Sequence, residues 1–400
     1  MSATVLLSIA VVVLVVRLVG ALVARLGQPR VVGELAAGVV LGPGMLGQLV
    51  PAFHAALFPS EALDALEVLA QVGLIFFMML VGMELNQAAV RTMARRVVAI
   101  SQVTILLPMA LAAVLAQLLY GVFPTPVGRP AFTVFLAVAM SVTALPVLAR
   151  LLAESGLRGT WVGSVALACA AINDIVAWLL LAGAVALIGV AGPVEAVAKV
   201  LLAAGYVAAM LVVVRPLLRR VRRLPLWAAV VITVLSAWVA EHAGVHTVFG
   251  AFLAGVVMPG NGAWRMTVHR QLDAVVGNVL LPIFFVVVGL STRVDQLGTA
   301  VHWLLALLVL VVAVAGKLGG AAVVARLVGE SWPDALRIGV LMNARGVTEV
   351  VILSVGLRLG VITPPLFTIM VGMAIATTLM AVPALRLLDR VPGRSAQRLS

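Results

Sequence analysis

The sequence predicts an all-α integral membrane protein, and three observations lead to that fold class. Hydrophobic residues make up 64% of the 400 residues and charged residues only 10%, whereas a soluble domain has about 45–50% and about 25%. The mean hydropathy is +1.22. The apolar residues form long continuous runs, which predict membrane-spanning helices, because barrel strands would show short alternating segments.

Thirteen apolar runs are long enough to span a bilayer, and short loops separate them. The first run has no basic stretch before it and no Ala-x-Ala cleavage site, so we interpret it as a true span rather than a signal peptide. The predicted spans are 3–26, 31–50, 62–84, 97–121, 131–153, 160–188, 196–219, 226–242, 246–258, 270–292, 300–326, 333–357 and 364–388.

The excess of basic residues indicates membrane topology rather than a nucleic-acid partner. Lys and Arg number 27 against 15 Asp and Glu, for a formal charge of +12. Twenty of the 27 lie on one side of the predicted membrane. Because cytoplasmic loops are enriched in Lys and Arg, we expect a multi-pass protein of the cytoplasmic membrane, with its N-terminus outside and its C-terminus in the cytoplasm. The opposite side holds Arg129, Lys199, Arg293 and Arg358, and the spans contain Arg17, Lys317 and Arg345.

The spans divide into two six-helix groups joined by the seventh span, 196–219. A six-helix group that begins outside also ends outside, so the second group begins from the cytoplasm and the two form inverted repeats. Helix-breaking residues occupy the fifth position of each group, at 141–146 (SVTALP) and at 343–346 (NARG). Pro removes a backbone donor and Gly weakens a helix. Paired breaks of this kind indicate an ion site near the membrane midplane.

The sixth span contains Asp174, next to Asn173. A carboxylate at the centre of a span costs at least about 2.5–3.5 kcal/mol on insertion scales, so it is a functional residue by default. A structural salt bridge is the alternative. Alkali cations prefer oxygen ligands, so Asp174 is predicted to bind a monovalent cation or a proton. Thr143 and Ser141 would supply further oxygens, and Asn173 would orient Asp174 or share in coordination.

Three charged residues of the second half are predicted to compensate buried charge. Lys317, in the eleventh span, requires a carboxylate or free carbonyl groups nearby. Arg345 and Glu349 are four residues apart in the twelfth span and could form an ion pair on one helix. A structural role for this pair is as plausible as a transport role. Arg17 is interpreted as a snorkelling side chain.

No cofactor is expected from the motifs in the chain. The stretch 42–47 (GPGMLG) matches G-x-G-x-x-G but lies in an apolar span with no strand before it, so it is not a dinucleotide site. His242 and His246 have zinc-like spacing without a Glu between them or a third ligand. Lys317 has no upstream P-loop glycine. A single cysteine, Cys169, excludes an intrachain disulfide.

Eight short motifs follow one another over almost the whole chain. In this order they resemble the second family of cation:proton antiporters, the branch that contains Kef-type and NapA-type bacterial transporters and the plant cation/proton exchangers. The stretches 172–178 and 341–349 are most similar to the plant-type exchangers. The motifs are 32–35 (VGEL), 41–43 (LGP), 80–84 (LVGME), 141–150 (SVTALPVLAR), 172–178 (INDIVAW), 249–259 (FGAFLAGVVMP), 281–290 (LPIFFVVVGL) and 341–349 (LMNARGVTE).

The resemblance implies an NhaA-like antiporter fold, with crossed discontinuous helices beside Asp174, and a homodimer. It also implies a scaffold and a mobile core in each protomer. No nucleotide-binding regulatory domain is expected after the last helix. The implied divisions are scaffold at 1–95 and 223–295, core at 96–190 and 296–390, a linker helix at 191–222, and a cytoplasmic tail at 391–400.

The function implied is a secondary transporter, not an enzyme, that exchanges Na⁺ or K⁺ for H⁺ and serves pH homeostasis. Elevator-type alternating access would carry Asp174 from one side of the membrane to the other. Electrogenic members of the family have two aspartates where this chain has Asn173 and Asp174, so exchange is expected to be electroneutral. The alternative is a sodium-coupled symporter of a small organic solute, because broken helices also serve that class. It would require a wider polar cavity than the few intramembrane polar residues suggest.

Overall fold

The computed structural model describes residues 3–25, 30–84, 94–187, 193–221, 224–244, 247–259, 262–290 and 297–389. Within these ranges the chain is helical and has no β-strand. Predictions that concern Arg91, Arg222, Arg223, Arg293, His246 and the tail 391–400 lie outside the described residues.

Ten described helices are long and apolar enough to cross a membrane, and two shorter apolar helices accompany them. In the described part of the chain, π-helical turns join consecutive helices at Met210–Val214, Val276–Leu280 and Ala315–Gly319. The first nine helices are α1 (Ala3–Arg25), α2 (Arg30–Leu41), α3 (Leu46–Leu49), α4 (Pro51–Leu57), α5 (Ser60–Glu84), α6 (Ala94–Val122), α7 (Arg129–Ser141), α8 (Leu145–Glu154) and α9 (Trp161–Leu187). The others are α10 (Pro193–Ala209), α11 (Arg215–Arg220), α12 (Leu226–His242), α13 (Thr247–Val257), α14 (Gly262–Val275), α15 (Leu281–Leu290), α16 (Ala300–Val314), α17 (Gly320–Leu327), α18 (Trp332–Met342), α19 (Val347–Arg358) and α20 (Pro364–Asp389).

The predicted span 31–50 does not form one continuous helix. Its continuous helix α2 ends at Leu41, and the short helices α3 and α4 follow. The reason is local, because Gly42, Pro43 and Gly44 follow Leu41 in the sequence. Pro lacks a backbone donor and Gly has the greatest conformational freedom to lose in a helix.

The chain divides into two compact units, and the first contains Met1–Leu85 and Pro193–Ser291. Glycine allows its helices to approach closely. A Cβ atom at Gly255 in α13 would lie 2.1 Å from the carbonyl oxygen of Met79 in α5, and one at Gly82 in α5 would lie 2.1 Å from that of Phe252. Both contacts are to backbone, so the packing of α5 on α13 requires these glycines.

The second unit contains Asn86–Gly192 and Thr292–Ser400. It includes both predicted breaks, since α7 ends at Ser141 before α8 begins, and α18 ends at Met342 before α19 begins. In the first break the backbone of Val142 and Ala144 is extended, and Pro146 lies in the first turn of α8. Pro is tolerated at this position because the first amides of a helix have no partner within it.

The close packing of the second unit also depends on glycine. A Cβ atom at Gly346, which precedes α19, would lie 2.5 Å from Cγ2 of Val147 in α8. The second break therefore approaches the first half of the unit closely.

Candidate functional site

Asp174 lies in α9 within the second unit, and its side chain is buried, with 2% of the residue exposed. Its Oδ1 atom has no hydrogen-bond partner among the described residues. The backbone amide of Leu145, the first residue of α8, approaches the carboxylate. The N-terminus of a helix favours a negative charge, since its amides and dipole point toward it. The break before α8 thus provides electrostatic support for an ionised Asp174.

The side-chain amide of Asn173 forms hydrogen bonds to α6 and to the first break. Its Oδ1 atom accepts a bond of 2.7 Å from Ser101 Oγ in α6. Its Nδ2 atom donates to Thr104 Oγ1 at 3.1 Å and to Thr143 Oγ1 at 3.3 Å. The Thr104 hydroxyl donates its one proton to the Ser101 carbonyl at 2.8 Å, so it can only accept from position 173. These contacts require an amide nitrogen there.

Thr143 joins the two breaks to each other. Its hydroxyl donates to the Met342 carbonyl at 3.4 Å, at the end of α18. It accepts from Asn173 and from Lys317 Nζ. A second contact runs between the breaks, where the Ala144 amide donates to the Ala344 carbonyl at 3.4 Å. With one proton and two lone pairs the hydroxyl is fully used, so in this state it holds the breaks together rather than offering a free oxygen.

Arg345 and Glu349 form a buried ion pair beside the second break. Arg345 Nη1 lies 3.0 Å from Glu349 Oε1, and the two side chains are 0% and 1% exposed. Arg345 Nε and Nη2 and Glu349 Oε2 have no hydrogen-bond partner among the described residues. A buried pair of this kind is costly to break, since removal of one partner leaves an uncompensated charge.

Lys317 is the central cation of this region. It lies in the π-helical turn between α16 and α17 and is fully buried. Its charge acts on Asp174, Glu349 and Arg345. Lys317 therefore interacts with three other buried charged side chains, and the formal charges of the four residues Lys317, Arg345, Asp174 and Glu349 balance.

The predicted site residues are not all in contact with each other. Asn173, Thr143 and Lys317 are joined by hydrogen bonds, and Asp174 lies within electrostatic range of Lys317. Ser141 bonds instead to the Val138 carbonyl of its own helix, at 2.7 Å. Its place in an ion site stays a prediction.

Two residues of this network were not predicted from the sequence. Ser101 and Thr104 lie in α6, and both are fully buried. Their spacing of three residues in an apolar helix places them on one face, and this was the only signal available. Arg17, interpreted as a snorkelling side chain, is exposed in the first unit, where its Nη2 atom donates to the Asn278 carbonyl at 3.1 Å. Asn278 lies in a π-helical turn.

Comparison with known proteins identifies a family whose sequences are similar to this chain. The sequence profile of the family described as "Sodium/hydrogen exchanger, transmembrane" matches residues 10–388. The chain is 38% identical over 391 residues to a Na⁺/H⁺ antiporter, NhaS4, of Synechocystis, and the match covers 95% of each chain. It is 36% identical over 400 residues to cation/H⁺ antiporter 17 of Arabidopsis thaliana, with 97% of this chain and 48% of that protein covered.

A solved structure has the same fold. The sodium/proton antiporter MjNhaP1 of Methanocaldococcus jannaschii matches with a TM-score of 0.64, over 96% of this chain and 97% of that chain. The sequence identity is 17%, so the similarity concerns the fold alone.

Proposed function

This chain belongs to the sodium/hydrogen exchanger family of membrane transporters, and we propose that it exchanges Na⁺ or K⁺ for H⁺ at Asp174. It is a transporter rather than an enzyme. The observation that carries the choice of residue is the buried Asp174 carboxylate, which has a free oxygen beside the N-terminus of α8. An ion-exchanging group must be able to lose one ligand and accept another, and an unpartnered oxygen allows this.

The proposed cycle uses competition for one carboxylate. Ionised Asp174 binds the cation, and protonated Asp174 does not, because the proton removes the charge that attracts the cation. Each form has the same net charge, since H⁺ and a monovalent cation both add one positive charge. The second unit then carries either form across the membrane, in an elevator-type movement. Two hydrogen bonds join the breaks, from Thr143 to the Met342 carbonyl and from the Ala144 amide to the Ala344 carbonyl, and they support movement as one body.

Asn173 serves in this proposal as a clamp rather than as a ligand. Its nitrogen is used by Thr104 and Thr143 and its oxygen accepts from Ser101. It cannot titrate, so Asp174 is the one member of this pair that exchanges a proton. This supports electroneutral exchange of one H⁺ for one cation. Lys317, Arg345 and Glu349 balance the charge of the surrounding interior.

The remaining parts of the proposal concern the assembly. The division of the chain into two units supports a scaffold formed by the first and a mobile core formed by the second. We place the protein in the cytoplasmic membrane with its N-terminus outside, from the distribution of basic residues, and expect a homodimer. A sodium-coupled symporter of an organic solute is not favoured, because the family and the relatives reported above are exchangers.

Everted membrane vesicles provide the direct test. A pH-sensitive dye reports the acidification of the lumen by respiration, and addition of Na⁺, K⁺ or Li⁺ is expected to release the trapped protons and restore the fluorescence. Titration over a range of pH gives the ion preference. Vesicles in which none of the three cations releases protons, although the protein is present, would contradict the proposed exchange.

A further inference from the structure

The backbone at the second break has polar groups that its own helices cannot satisfy. Helices α18 and α19 leave a gap at Asn343–Gly346, and Arg345 in that gap is fully buried. The last carbonyls and first amides of helices have no partner within the helix. Burial of such groups without a hydrogen bond is costly, so another element must provide one.

Thr378, in the middle of α20, provides both partners at once. Its Oγ1 atom accepts from the Arg345 amide at 3.2 Å and donates to the Arg345 carbonyl at 2.7 Å. The same hydroxyl lies 3.0 Å from the Ala374 carbonyl, one turn earlier in its own helix. Serine and threonine hydroxyls in membrane helices commonly bond only to that earlier carbonyl. Thr378 therefore also reaches the neighbouring chain segment.

The adjacent Thr377 bonds only within its own helix among the contacts of the described residues. Thr377 is as deeply buried as Thr378, at 0% and 1% exposure. Its hydroxyl donates to the Ala374 carbonyl at 3.0 Å, within α20. The two threonines thus have the same side chain, the same helix and the same burial. They differ in the contact with Arg345.

We propose that Thr378 is a positioning residue for ion exchange, which acts through the backbone of the second break. Its hydroxyl bonds the backbone of Arg345 to α20 and so fixes the position of Arg345. The preceding residue, Ala344, accepts a hydrogen bond from the Ala144 amide of the first break. The first break in turn orients the start of α8, where the Leu145 amide approaches Asp174. Loss of the Thr378 hydroxyl removes the first of the contacts that connect α20, through the two breaks, to Asp174.

The proposal rests on the exchange function proposed above and predicts a change in ion affinity. Loosening of the break weakens the electrostatic support of the Asp174 carboxylate, so the cation binds less well. A substitution that only impaired folding would reduce the number of working transporters and leave their apparent KM for the cation unchanged. The apparent KM therefore separates a positioning role from a structural one.

The experiment uses the purified full chain in proteoliposomes with a pH-sensitive dye, over a series of Na⁺ and K⁺ concentrations. Thr378→Val is expected to raise the apparent KM by about tenfold, because a buried hydrogen bond is lost. Thr378→Ser, which keeps the hydroxyl, and Thr377→Val, the matched control, are expected to stay within about twofold of the original. Hydrogen exchange of the Arg345 amide is expected to accelerate in Thr378→Val and not in Thr377→Val.

The outcomes distinguish this proposal from the exchange function itself. An unchanged KM in Thr378→Val, or an equal change in Thr377→Val, overturns the positioning role. Thr378→Ala is a second variant without the hydroxyl. If neither Thr378→Ala nor Thr378→Val folds, the hydroxyl is required for folding, and the positioning role is overturned. If the original chain moves no protons in response to either cation, the exchange function fails, and the amide exchange of Arg345 still decides whether Thr378 holds the break.

Discussion

Asp174 and Asn173 are neighbours in α9, and their surroundings assign them opposite tasks. Asn173 uses both amide protons and its oxygen in hydrogen bonds with three hydroxyl groups. Asp174 has a buried oxygen that forms no hydrogen bond with any described residue. A side chain that is held by several hydrogen bonds stabilises one arrangement of the site. A carboxylate with an unbonded buried oxygen can bind a proton or a cation in turn. At the scale of single residues, these surroundings support the proposal that Asp174, rather than Asn173, is the exchanging group.

The first prediction is that Asp174→Asn abolishes cation-dependent proton movement and leaves a folded protein. The amide has nearly the shape of the carboxylate but can neither bind a proton at ordinary pH nor attract a cation by charge. Proton release by Na⁺ or K⁺ in proteoliposomes measures the loss, which should reach at least about 100-fold. Asp64→Asn, at an exposed carboxylate of α5, is the control and should keep the original rate. Appreciable exchange by Asp174→Asn would remove this residue from the proposed site.

The second prediction is that Asn173→Asp lowers the stability of the protein. A carboxylate cannot donate to Thr104 and Thr143, whose hydroxyl protons are used by the carbonyls of Ser101 and Met342. We expect a loss of about 1–3 kcal/mol, measured as a lower midpoint of thermal unfolding in detergent. Ser101→Ala removes a single contact of the same network and should cost less. An Asn173→Asp protein as stable as the original would show that the amide nitrogen is not required.

The sequence could predict the charged residues of the site better than its hydroxyl groups. Asp174 and Lys317 stand out because charges are rare in apolar spans. Ser101, Thr104 and Thr378 do not, because hydroxyl residues are common in membrane helices and usually bond to their own backbone. Whether such a group points to another element depends on tertiary packing. The saturation of the Thr143 hydroxyl, for the same reason, could be seen only in the structure.

At the scale of helices the all-helical fold was predicted, whereas the thirteen spans and their inverted repeats stay a prediction beside the ten described helices long enough to cross a membrane. The predicted span 226–242 coincides with α12, and both breaks occur where Pro146 and Gly346 weaken the helix. The short helices after Leu41 were not predicted, because a continuous apolar run conceals the effect of Gly42 and Pro43. The contact between the two breaks joins segments about 200 residues apart, and no local pattern specifies it.

The third prediction tests the close packing of α5 on α13. A Cβ atom at Gly255 would lie 2.1 Å from the carbonyl oxygen of Met79, and backbone cannot move aside cheaply. Gly255→Ala is therefore expected to reduce stability by about 1–3 kcal/mol, read from thermal unfolding in detergent. Gly205→Ala in α10 is the matched control, since a Cβ atom there meets no atom within 4 Å. Equal unfolding midpoints for the two variants would contradict the packing argument.

In the proposed cycle of the whole molecule the competing ions bind to one carboxylate, and this competition predicts how transport depends on pH. The fourth prediction is that the apparent KM for the cation rises as the pH falls, by up to about tenfold per pH unit, because protons occupy Asp174. The maximal rate at saturating cation should change far less. Dye measurements in proteoliposomes over a series of pH and cation concentrations give both quantities. A KM that is constant while the maximal rate falls would indicate separate proton and cation sites.

The last prediction is that exchange moves no net charge. In the proposed cycle Asp174 releases one H⁺ for each monovalent cation that it binds, and Asn173 cannot contribute another proton. The proposal leaves the charges of Lys317, Arg345 and Glu349 unchanged, so the site has the same formal charge in both loaded states. A jump in cation concentration on a solid-supported membrane should therefore give no protein-dependent current. The same protein preparation must show exchange in the dye assay.

A second proton could come from Lys317, which interacts with Asp174 and donates to Thr143. If the lysine lost its proton whenever the cation bound, two protons would move for one cation and a transient current would appear. Such a current would have to scale with protein density and vanish in Asp174→Asn to count as transport. Its presence would overturn electroneutral exchange. Its absence from Lys317→Ala, with proton exchange retained, would then identify the lysine as the source, because that substitution leaves Asp174 as the remaining exchanging group of the proposed site.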